Sequence, residues 1–345
     1  LLTLDHNAAL TIETLKPSAH YKAISNRPDE AANCLCRYRC EHEFMLGCQL
    51  LAGITSPLST LPILSYIADT AISSLSRIVI KAFTADYGKI EGGSFAIIAL
   101  GRLGSQELAF GSDLDLLFLY DAPEGAAESD GKRSLGAATY YNRLAQRIIG
   151  QLSAMTAEGR LYEVDDRLRP TGKDGPLAVS LAAMKKYFSE NAWTFERMAL
   201  LKQRIVFNTG ENLNLHHLLQ HSSNAETVID DALEMRKRLW QQHGTGNQWK
   251  VKHARGGLMD ITFIAQILTL NHIKEPPQLI GLPLKEVLQE LASNKLIEAE
   301  HSEQLIAAYE FQQSVQLLMR ICHSEAQSEV FSRGLKEMMA RSLKV

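Results

Sequence analysis

Two short motifs that could do chemistry lie close together between residues 99 and 120. The first is a glycine-containing turn at residues 101–105, which directly follows the apolar run of residues 95–100. A strand that ends in glycines and then enters a helix can present its backbone N–H groups to a phosphate. The turn is therefore a candidate phosphate-binding site, although a Gly-x-x-Gly turn by itself is a weak signal.

The second motif places two carboxylates on one strand. Asp113 and Asp115 open the apolar run of residues 116–120, and residues i and i+2 of a strand point to the same face. Like charges held side by side usually need a cation between them, and Mg²⁺ prefers such oxygen ligands. Either motif alone is often only a solvated turn. Together, in this order and between two apolar strands, they predict a nucleotide–Mg²⁺ site.

A third acid stands farther along the chain. Asp165 lies in a predicted strand at residues 161–168. Glu163 and Arg167 share its face, and Arg169 follows at the same parity. An acid beside arginines can be a structural ion pair. Next to an Asp-x-Asp strand, however, Asp165 can complete a metal-binding triad while Arg167 or Arg169 neutralises a polyphosphate.

Two later segments carry further charged residues. In the first, helical spacing predicts that Trp193 packs in the core. Glu196, Arg197 and Lys202 are then candidates to line the cleft beside the carboxylates. In the second, a glycine pair precedes a helix whose first turn holds Asp260, and capping of that helix accounts for this acid as well as a functional role does.

The remaining pattern describes the elements that must hold these residues. Helical spacing of apolar residues precedes and follows a central stretch in which short apolar runs alternate with helices. The sequence predicts strands at residues 95–100, 114–120, 161–168 and 177–180. It predicts the longer helices at residues 29–51, 61–87, 135–155, 225–242, 258–271, 284–292 and 302–323. We therefore predict an α+β fold with a small mixed sheet, divided into N-terminal helices at 1–94, an α/β domain at 95–207 and a C-terminal helical bundle at 208–345.

The composition narrows the classes of partner. The 345 residues include 36 Lys and Arg against 39 Asp and Glu, a formal net charge of −3, without a basic run. Binding along a nucleic-acid backbone is therefore disfavoured. No apolar run approaches the ~20 residues that span a bilayer, and the start lacks a signal-peptide pattern, so we expect a cytoplasmic protein without membrane contact. The chain begins with Leu1 rather than methionine, which leads us to expect a piece of a longer protein.

Four of the five cysteines cluster in one region, at Cys34, Cys36, Cys40 and Cys48. A zinc site is conceivable, but the Cys-x₂-Cys pairs typical of zinc are missing. Reduced, partly buried thiols in a cytoplasmic protein account for the cluster better.

Taken together and in order, these segments resemble a known family. Gly-Ser followed at short range by Asp-x-Asp resembles the signature of the polymerase-β-like nucleotidyltransferase superfamily, which uses a third carboxylate on a later strand; here that position is Asp165. The full set resembles bacterial glutamine synthetase adenylyltransferase, also called glutamate–ammonia-ligase adenylyltransferase. The matching pieces are Gly-Arg-Leu-Gly-Ser-Gln-Glu-Leu, the Ser-Asp-Leu-Asp that ends at Asp115, Val-Asp with Arg-Leu-Arg-Pro, and Gly-Gly-Leu-Met-Asp-Ile.

The resemblance implies a polymerase-β-like fold for the central region and a Mg²⁺-dependent reaction with ATP as substrate. It implies that three carboxylates hold the metal and carry the chemistry, namely Asp113, Asp115 and Asp165. It also implies a set of phosphate-binding residues, namely Gly104, Ser105, Ser112, Arg167, Arg169 and Lys202. The protein substrate would be glutamine synthetase, of which a tyrosine receives AMP as pyrophosphate leaves. A PII-type nitrogen signal protein and glutamine would regulate the reaction.

Enzymes of this family carry two similar halves, one that removes adenylyl groups and one that adds them. Leu-Tyr-Glu-Val-Asp and Ala-Trp-Thr-Phe-Glu resemble the C-terminal, adenylylating half. The open alternatives are phosphorolysis of adenylyl-tyrosine to give ADP, and a silent regulatory module that binds a PII-type protein. Nucleotide transfer to RNA or to PII itself is disfavoured by the acidic net charge. Thr262 stands where the family has a glutamate, which puts a catalytic carboxylate there in doubt but leaves the three aspartates untouched.

Overall fold

The computed structural model describes residues 9–15, 26–123, 128–210, 213, 215–219, 225–244, 246–247, 249–272, 279–322, 337 and 340. Over these residues the chain has the predicted α+β fold, a small mixed sheet with helices before and after it in sequence. The helices are α1 (Pro28–Leu51), α2 (Thr60–Tyr87), α3 (Gly101–Gly104), α4 (Ala137–Ser153), α5 (Leu181–Glu190), α6 (Thr194–Leu200), α7 (Ala225–His243), α8 (Leu258–His272), α9 (Leu284–Ser293) and α10 (Ala299–Ile321). The strands are β1 (Ser94–Ala99), β2 (Leu114–Asp121), β3 (Met155–Thr156), β4 (Gly159–Arg160), β5 (Val164–Asp165), β6 (Ala178–Ser180) and β7 (Arg204–Asn208).

The main sheet has its two longest strands at the centre. β1 and β2 pair antiparallel, from Ser94 opposite Asp121 to Ala99 opposite Leu116. β7 pairs antiparallel with the other side of β1, while β5 and β6 both pair in parallel with β2. β1 and β2 are buried over most of their length, which explains why their sequences are continuous apolar runs rather than alternating ones.

Each face of this sheet carries its own hydrophobic core. On one face α1, α2 and α4 pack around side chains that include Phe95 and Phe118. On the other face α5, α6, α7 and α8 pack around side chains that include Ile98 and Leu117. A third cluster joins α8, α9 and α10. Because these cores extend across residues 94 and 207, the division into three parts at those positions stays a prediction.

α2 is a long apolar helix at the centre of the first core. A stretch of 18 residues within it has a mean hydropathy of 1.4, so by length and composition alone it could cross a membrane. The expectation that no apolar stretch is long enough was therefore too strict. Ile67, Ala71 and Leu75 are fully buried, and α2 packs against α1, α4 and β7. Its apolar character is that of a helix buried in a core.

Two parts of the strand prediction need correction. The strand predicted at residues 161–168 is only Val164–Asp165. It ends there because the backbone N–H of Arg167 donates a hydrogen bond of 3.0 Å to the Asp165 carboxylate, which turns the chain. The sequence analysis also missed β7, although its β-branched and aromatic run of residues 205–207 is typical of a strand; in it Ile205 is exposed and Phe207 is buried.

Candidate active site

The three aspartates lie at one end of the sheet. Asp165 is the direct register partner of Asp115 across the parallel pair β2 and β5, so both side chains leave the same face as neighbours. Asp113 lies just before β2, two residues from Asp115. The start of β2 is fixed by two backbone hydrogen bonds of 2.9 Å, from Leu114 N–H to Glu163 and from Leu100 N–H to Asp115.

Asp115 is the most perturbed of the three carboxylates. Partial burial, and then the negative charges of Asp113 and Asp165, raise its pKa from 3.8 to about 6. The positive charges of Lys252 and Lys202 act in the opposite direction. A carboxylate that its neighbours make hard to ionise is one that a bound cation would stabilise.

The glycine turn lies directly against Asp115. Gly101 has a positive φ of +54°, and a Cβ atom there would lie 1.9 Å from Asp115 Oδ2. Only glycine leaves room for the carboxylate in this backbone conformation. The first glycine of the turn therefore positions Asp115.

Gly104 and Ser105, which the sequence predicts to contact a phosphate, have hydrogen-bond partners within the protein in this structure. The Gly104 N–H donates to Leu100 and the Ser105 N–H to Gly101, while a Cβ at Gly104 would lie 1.7 Å from the carbonyl oxygen of Lys202. Ser105 is fully buried, and its hydroxyl donates to Glu107 Oε2 at 2.6 Å. Both residues use their donors inside the protein, so the turn is packed rather than open to a ligand.

Asp165 is engaged by Arg167 in this structure. The Arg167 Nε lies 2.8 and 2.9 Å from the two carboxylate oxygens, and these hydrogen bonds hold the pKa of Asp165 below its usual value. The Arg167 side chain is 65% exposed, whereas that of Asp165 is 15% exposed. The arginine therefore covers the carboxylate from the solvent side and can be displaced without disturbing a core.

Arg169, also predicted to bind phosphate, pairs with groups of its own loop in this structure. This guanidinium is buried, lies 2.7 Å from Asp166 Oδ1 and donates to the Asp166 carbonyl at 2.6 Å. It reaches the Gly175 carbonyl at 3.4 Å as well. Arg169 thus holds the loop after β5 together and is turned into that loop.

The remaining predicted phosphate ligands lie at the edge of the carboxylate cluster. Ser112 Oγ accepts a hydrogen bond of 2.9 Å from Arg320 Nη1, in α10. Lys202 Nζ lies 3.9 Å from Glu107 Oε2 and is partly exposed. The Lys202 charge also reaches Asp115, where it favours the ionised carboxylate.

The oxygen ligands of the triad are of the kind that Mg²⁺ prefers. Among the residues that the structure describes, no group of three or more His, Cys, Asp and Glu side chains is close enough to hold a metal ion, and this includes the cysteines of α1. At the triad, both Asp165 oxygens face Arg167 instead. A divalent cation shared by all three aspartates would have to displace that arginine.

Residues in the two later segments have local partners. Trp193 is 69% exposed, so the prediction that it packs in the core is wrong. It stands at the N-cap of α6, where its backbone N–H donates to Glu196 Oε2 at 2.9 Å. Arg197 is buried and donates to the Phe188 carbonyl. Asp260 accepts from the Gly256 N–H at 2.7 Å, as a capping residue does, and it also pairs with Arg236.

Sequence reasoning missed three cations near the aspartates. Arg102 lies in the glycine turn, Lys252 in the loop before α8, and Arg320 at the end of α10. The charge of Asp113 acts on all three. Arg102 and Lys252 lie in two of the sequence motifs described above, so their positive charge and their position could have marked them as candidate site residues. Arg320 lies in an ordinary helical pattern, and nothing in the sequence around it indicates a functional role.

The fold and the carboxylate cluster together are those of an α+β protein of the nucleotidyltransferase type. Two family models match the chain. A model of glutamate-ammonia ligase adenylyltransferase matches residues 3–220. A model of the GlnD PII-uridylyltransferase matches residues 230–345. The first match covers well over half of the chain, which therefore belongs to the glutamate-ammonia ligase adenylyltransferase family.

Curated relatives agree with this assignment. A bifunctional glutamine synthetase adenylyltransferase/adenylyl-removing enzyme of Bradyrhizobium diazoefficiens is 35% identical over 308 residues, which are 88% of this chain and 31% of the relative. Enzymes of the same name from Brucella suis and Agrobacterium fabrum are each 34% identical, over 88% and 93% of this chain. They too are matched over only 31% and 32% of their own length. The chain thus spans about a third of the length of the curated relatives it matches.

Proposed function

We propose that this chain is a nucleotidyl-transfer unit that moves AMP from ATP to a tyrosine of glutamine synthetase. The observation that carries the proposal is the register pairing of Asp115 with Asp165, next to Asp113 and against the glycine turn. Membership of the family supplies the reaction class, and the names of the relatives supply the protein substrate.

In this proposal Asp113 and Asp115 hold Mg²⁺, and Asp165 joins them when Arg167 moves away. The metal would offset phosphate charge and ease ionisation of a tyrosine hydroxyl, whose ordinary pKa is ~10. Departure of Arg167 removes the hydrogen bonds that occupy both carboxylate oxygens of Asp165, which frees an oxygen to accept the tyrosine proton. The freed Arg167 and Lys202 are then available to neutralise phosphate charge.

One bond forms and one bond breaks in a single displacement at phosphorus. The tyrosine oxygen attacks the α-phosphorus of ATP and forms the new P–O bond while its proton passes to Asp165. The bond between the α-phosphorus and the oxygen bridging to the β-phosphate breaks in line, and pyrophosphate leaves. Lys202 and Arg167 offset the charge that this step places on the leaving group.

The second candidate is removal of the adenylyl group, in which phosphate attacks adenylyl-tyrosine and ADP is the product. It is retained because the relatives are named as both adenylyltransferases and adenylyl-removing enzymes. Regulation by a PII-type protein is a further proposal, supported by the match of residues 230–345 to a PII-uridylyltransferase model. On the same family resemblance we also propose that glutamine controls the reaction and that the protein is cytoplasmic.

The test is mass spectrometry of purified glutamine synthetase after incubation with this chain and MgATP. We expect a mass increase of one adenylyl group on a tyrosine, with pyrophosphate released. ADP formed from adenylylated glutamine synthetase and phosphate would assign the removing direction instead. Absence of both products would leave the regulatory module as the better account.

A further inference from the structure

Three cations that the proposed reaction does not use lie close enough to Asp113 for its charge to act on each of them. They are Arg102 in the glycine turn, Lys252 in the loop before α8, and Arg320 at the end of α10. Each comes from a different part of the chain, so only the packing of the C-terminal helices against the sheet brings them together. Local sequence patterning does not account for such a convergence of like charge.

Hydrogen bonds to uncharged groups hold the two arginines in place. Arg320 Nη1 donates to the Phe110 carbonyl and to Ser112 Oγ, both at 2.9 Å. Arg102 Nη2 donates to Gln316, which lies one helical turn before Arg320 on α10. The other terminal nitrogen of Arg102, Nη1, is buried and has no hydrogen-bond partner among the residues that the structure describes. A buried guanidinium donor without an acceptor is costly unless a ligand supplies one.

The three cations repel one another and lack direct counter-ions. Burial and the charge of Arg102 lower the pKa of Arg320 to about 10, and burial together with Arg102 and Arg320 lowers the pKa of Lys252. Within the described part of the chain, none of the three makes an ion pair within 4.0 Å. Asp113 and Asp115 are the nearby acids, and a divalent cation bound there would cancel their charge.

Lys252 is accessible, as a ligand-binding side chain must be. The residue is exposed to solvent over part of its surface, although surrounding protein atoms desolvate its ammonium group enough to lower its pKa. Its backbone is fixed by the hydrogen bond of 3.1 Å from the Met259 N–H to its carbonyl. Glu107, the other acid that acts on Arg102, already accepts hydrogen bonds from Ser105, Leu284 and Tyr309. Asp113 and Asp115 are therefore the acids left to offset the charge of the three cations, at a site that solvent can reach.

We propose that Arg102, Lys252 and Arg320 form a polyphosphate subsite that takes the β- and γ-phosphates of a nucleoside triphosphate. The inference rests on the proposed function and assigns phosphate binding to residues other than Gly104 and Ser105, whose donors have partners within the protein. Three convergent cations, one with a free buried donor, suit a ligand that carries several negative oxygens close together. The α-phosphate would then extend toward Asp113 and Asp115, where the transfer occurs.

Calorimetric titration of the full chain without divalent metal tests this subsite. The titrants are inorganic tripolyphosphate, ATP and AMP, and the variants are Lys252→Met and Arg320→Gln. Lys250→Met is the matched control, because Lys250 is exposed in the same loop and its loss changes the net charge equally. We expect Lys252→Met and Arg320→Gln to weaken binding of tripolyphosphate and ATP at least about tenfold, with AMP binding unchanged. Lys250→Met should bind all three ligands like the wild type.

Several results would overturn the subsite. Wild-type protein that does not bind tripolyphosphate, or Lys252→Met that binds it normally, would do so. Equal weakening in Lys250→Met, or for AMP, would indicate a diffuse electrostatic effect. Thermal unfolding reports whether each variant folds. If Arg320→Gln does not fold, the result for Lys252→Met alone decides whether the subsite exists. Loss of AMP transfer in wild-type protein that still shows the expected binding pattern would count against the proposed function and not against the subsite.

Discussion

Asp115 has the least favourable surroundings of any single carboxylate in the cluster. It is half-buried against the bare backbone of Gly101, with Asp113 two residues away and Asp165 beside it on the neighbouring strand. Its pKa of about 6 reflects burial first and the two like charges second. Asp165 has the opposite surroundings, because Arg167 stabilises its ionised form. The different surroundings of Asp115 and Asp165 thus suit the two aspartates to different roles in the proposed reaction.

This difference predicts that the two aspartates fail differently when changed to asparagine. Asp115→Asn removes half of the Asp113–Asp115 pair, so both MgATP binding and AMP transfer should weaken. Asp165→Asn keeps that pair, so ATP should bind almost normally while kcat falls at least ~10²-fold through loss of the base. Steady-state adenylylation of glutamine synthetase, with calorimetry for ATP binding, measures both effects.

Glu163→Gln is the matched control, because Glu163 is an exposed acid two residues from Asp165 that pairs with Arg160. Its activity should stay near that of the wild type. Near-normal turnover in Asp165→Asn would remove Asp165 from the chemistry and would end the mechanism based on three carboxylates.

At the scale of elements, patterns with a strong period were predictable from sequence. The buried strands β1 and β2 and the helices α1, α2 and α4 are placed within about two residues, since each presents a continuous apolar run or a helical stripe. The end of β5 was not predictable, because it depends on the hydrogen bond from the Arg167 N–H to the Asp165 carboxylate. β7 was missed because its short run of apolar residues was not separated from the preceding helix. The three carboxylates could be identified from the sequence. Which glycine of the turn faces them could not, because that depends on how the turn packs against residue 202.

Glu107 links three elements through one buried carboxylate. It accepts hydrogen bonds from Ser105 Oγ at 2.6 Å, from the Leu284 N–H at 2.9 Å and from the Tyr309 hydroxyl. These donors lie in the glycine turn, at the start of α9 and in α10. The carboxylate therefore fastens the C-terminal helices to the turn that positions Asp115.

We expect Tyr309→Phe to lower the free energy of unfolding by about 1–3 kcal/mol, because it leaves a buried carboxylate one donor short. Urea denaturation followed by circular dichroism measures this loss. Tyr187→Phe is the control, since the Tyr187 hydroxyl donates to Glu196 at 2.9 Å in a partly exposed setting where water can replace it. Equal stability of Tyr309→Phe and the wild type would show that Glu107 does not hold α10 in place.

The whole molecule joins the regions that the two family models match separately. Residues 3–220 and 230–345 match different models, yet side chains from both lie in one hydrophobic core on the second face of the sheet. Polar contacts cross the same boundary. Gln266 Nε2 donates to the Met198 carbonyl at 2.9 Å, and the Gly281 N–H donates to Leu201 at 2.8 Å.

We therefore expect the described α+β core and its C-terminal helices to unfold in one transition. The three tryptophans are Trp193, directly before α6, Trp240 in α7 and Trp249 before α8, so their fluorescence reports mainly on the second core and the C-terminal helices. Far-ultraviolet circular dichroism reports on all helices, α1 and α2 included. If the shared core and the Glu107 contacts couple the two regions, both signals should give the same urea midpoint, and Tyr309→Phe should shift both equally. A fluorescence midpoint below that of circular dichroism would mean that the C-terminal helices open first, and Lys252 and Arg320 would then leave the aspartates before the sheet unfolds.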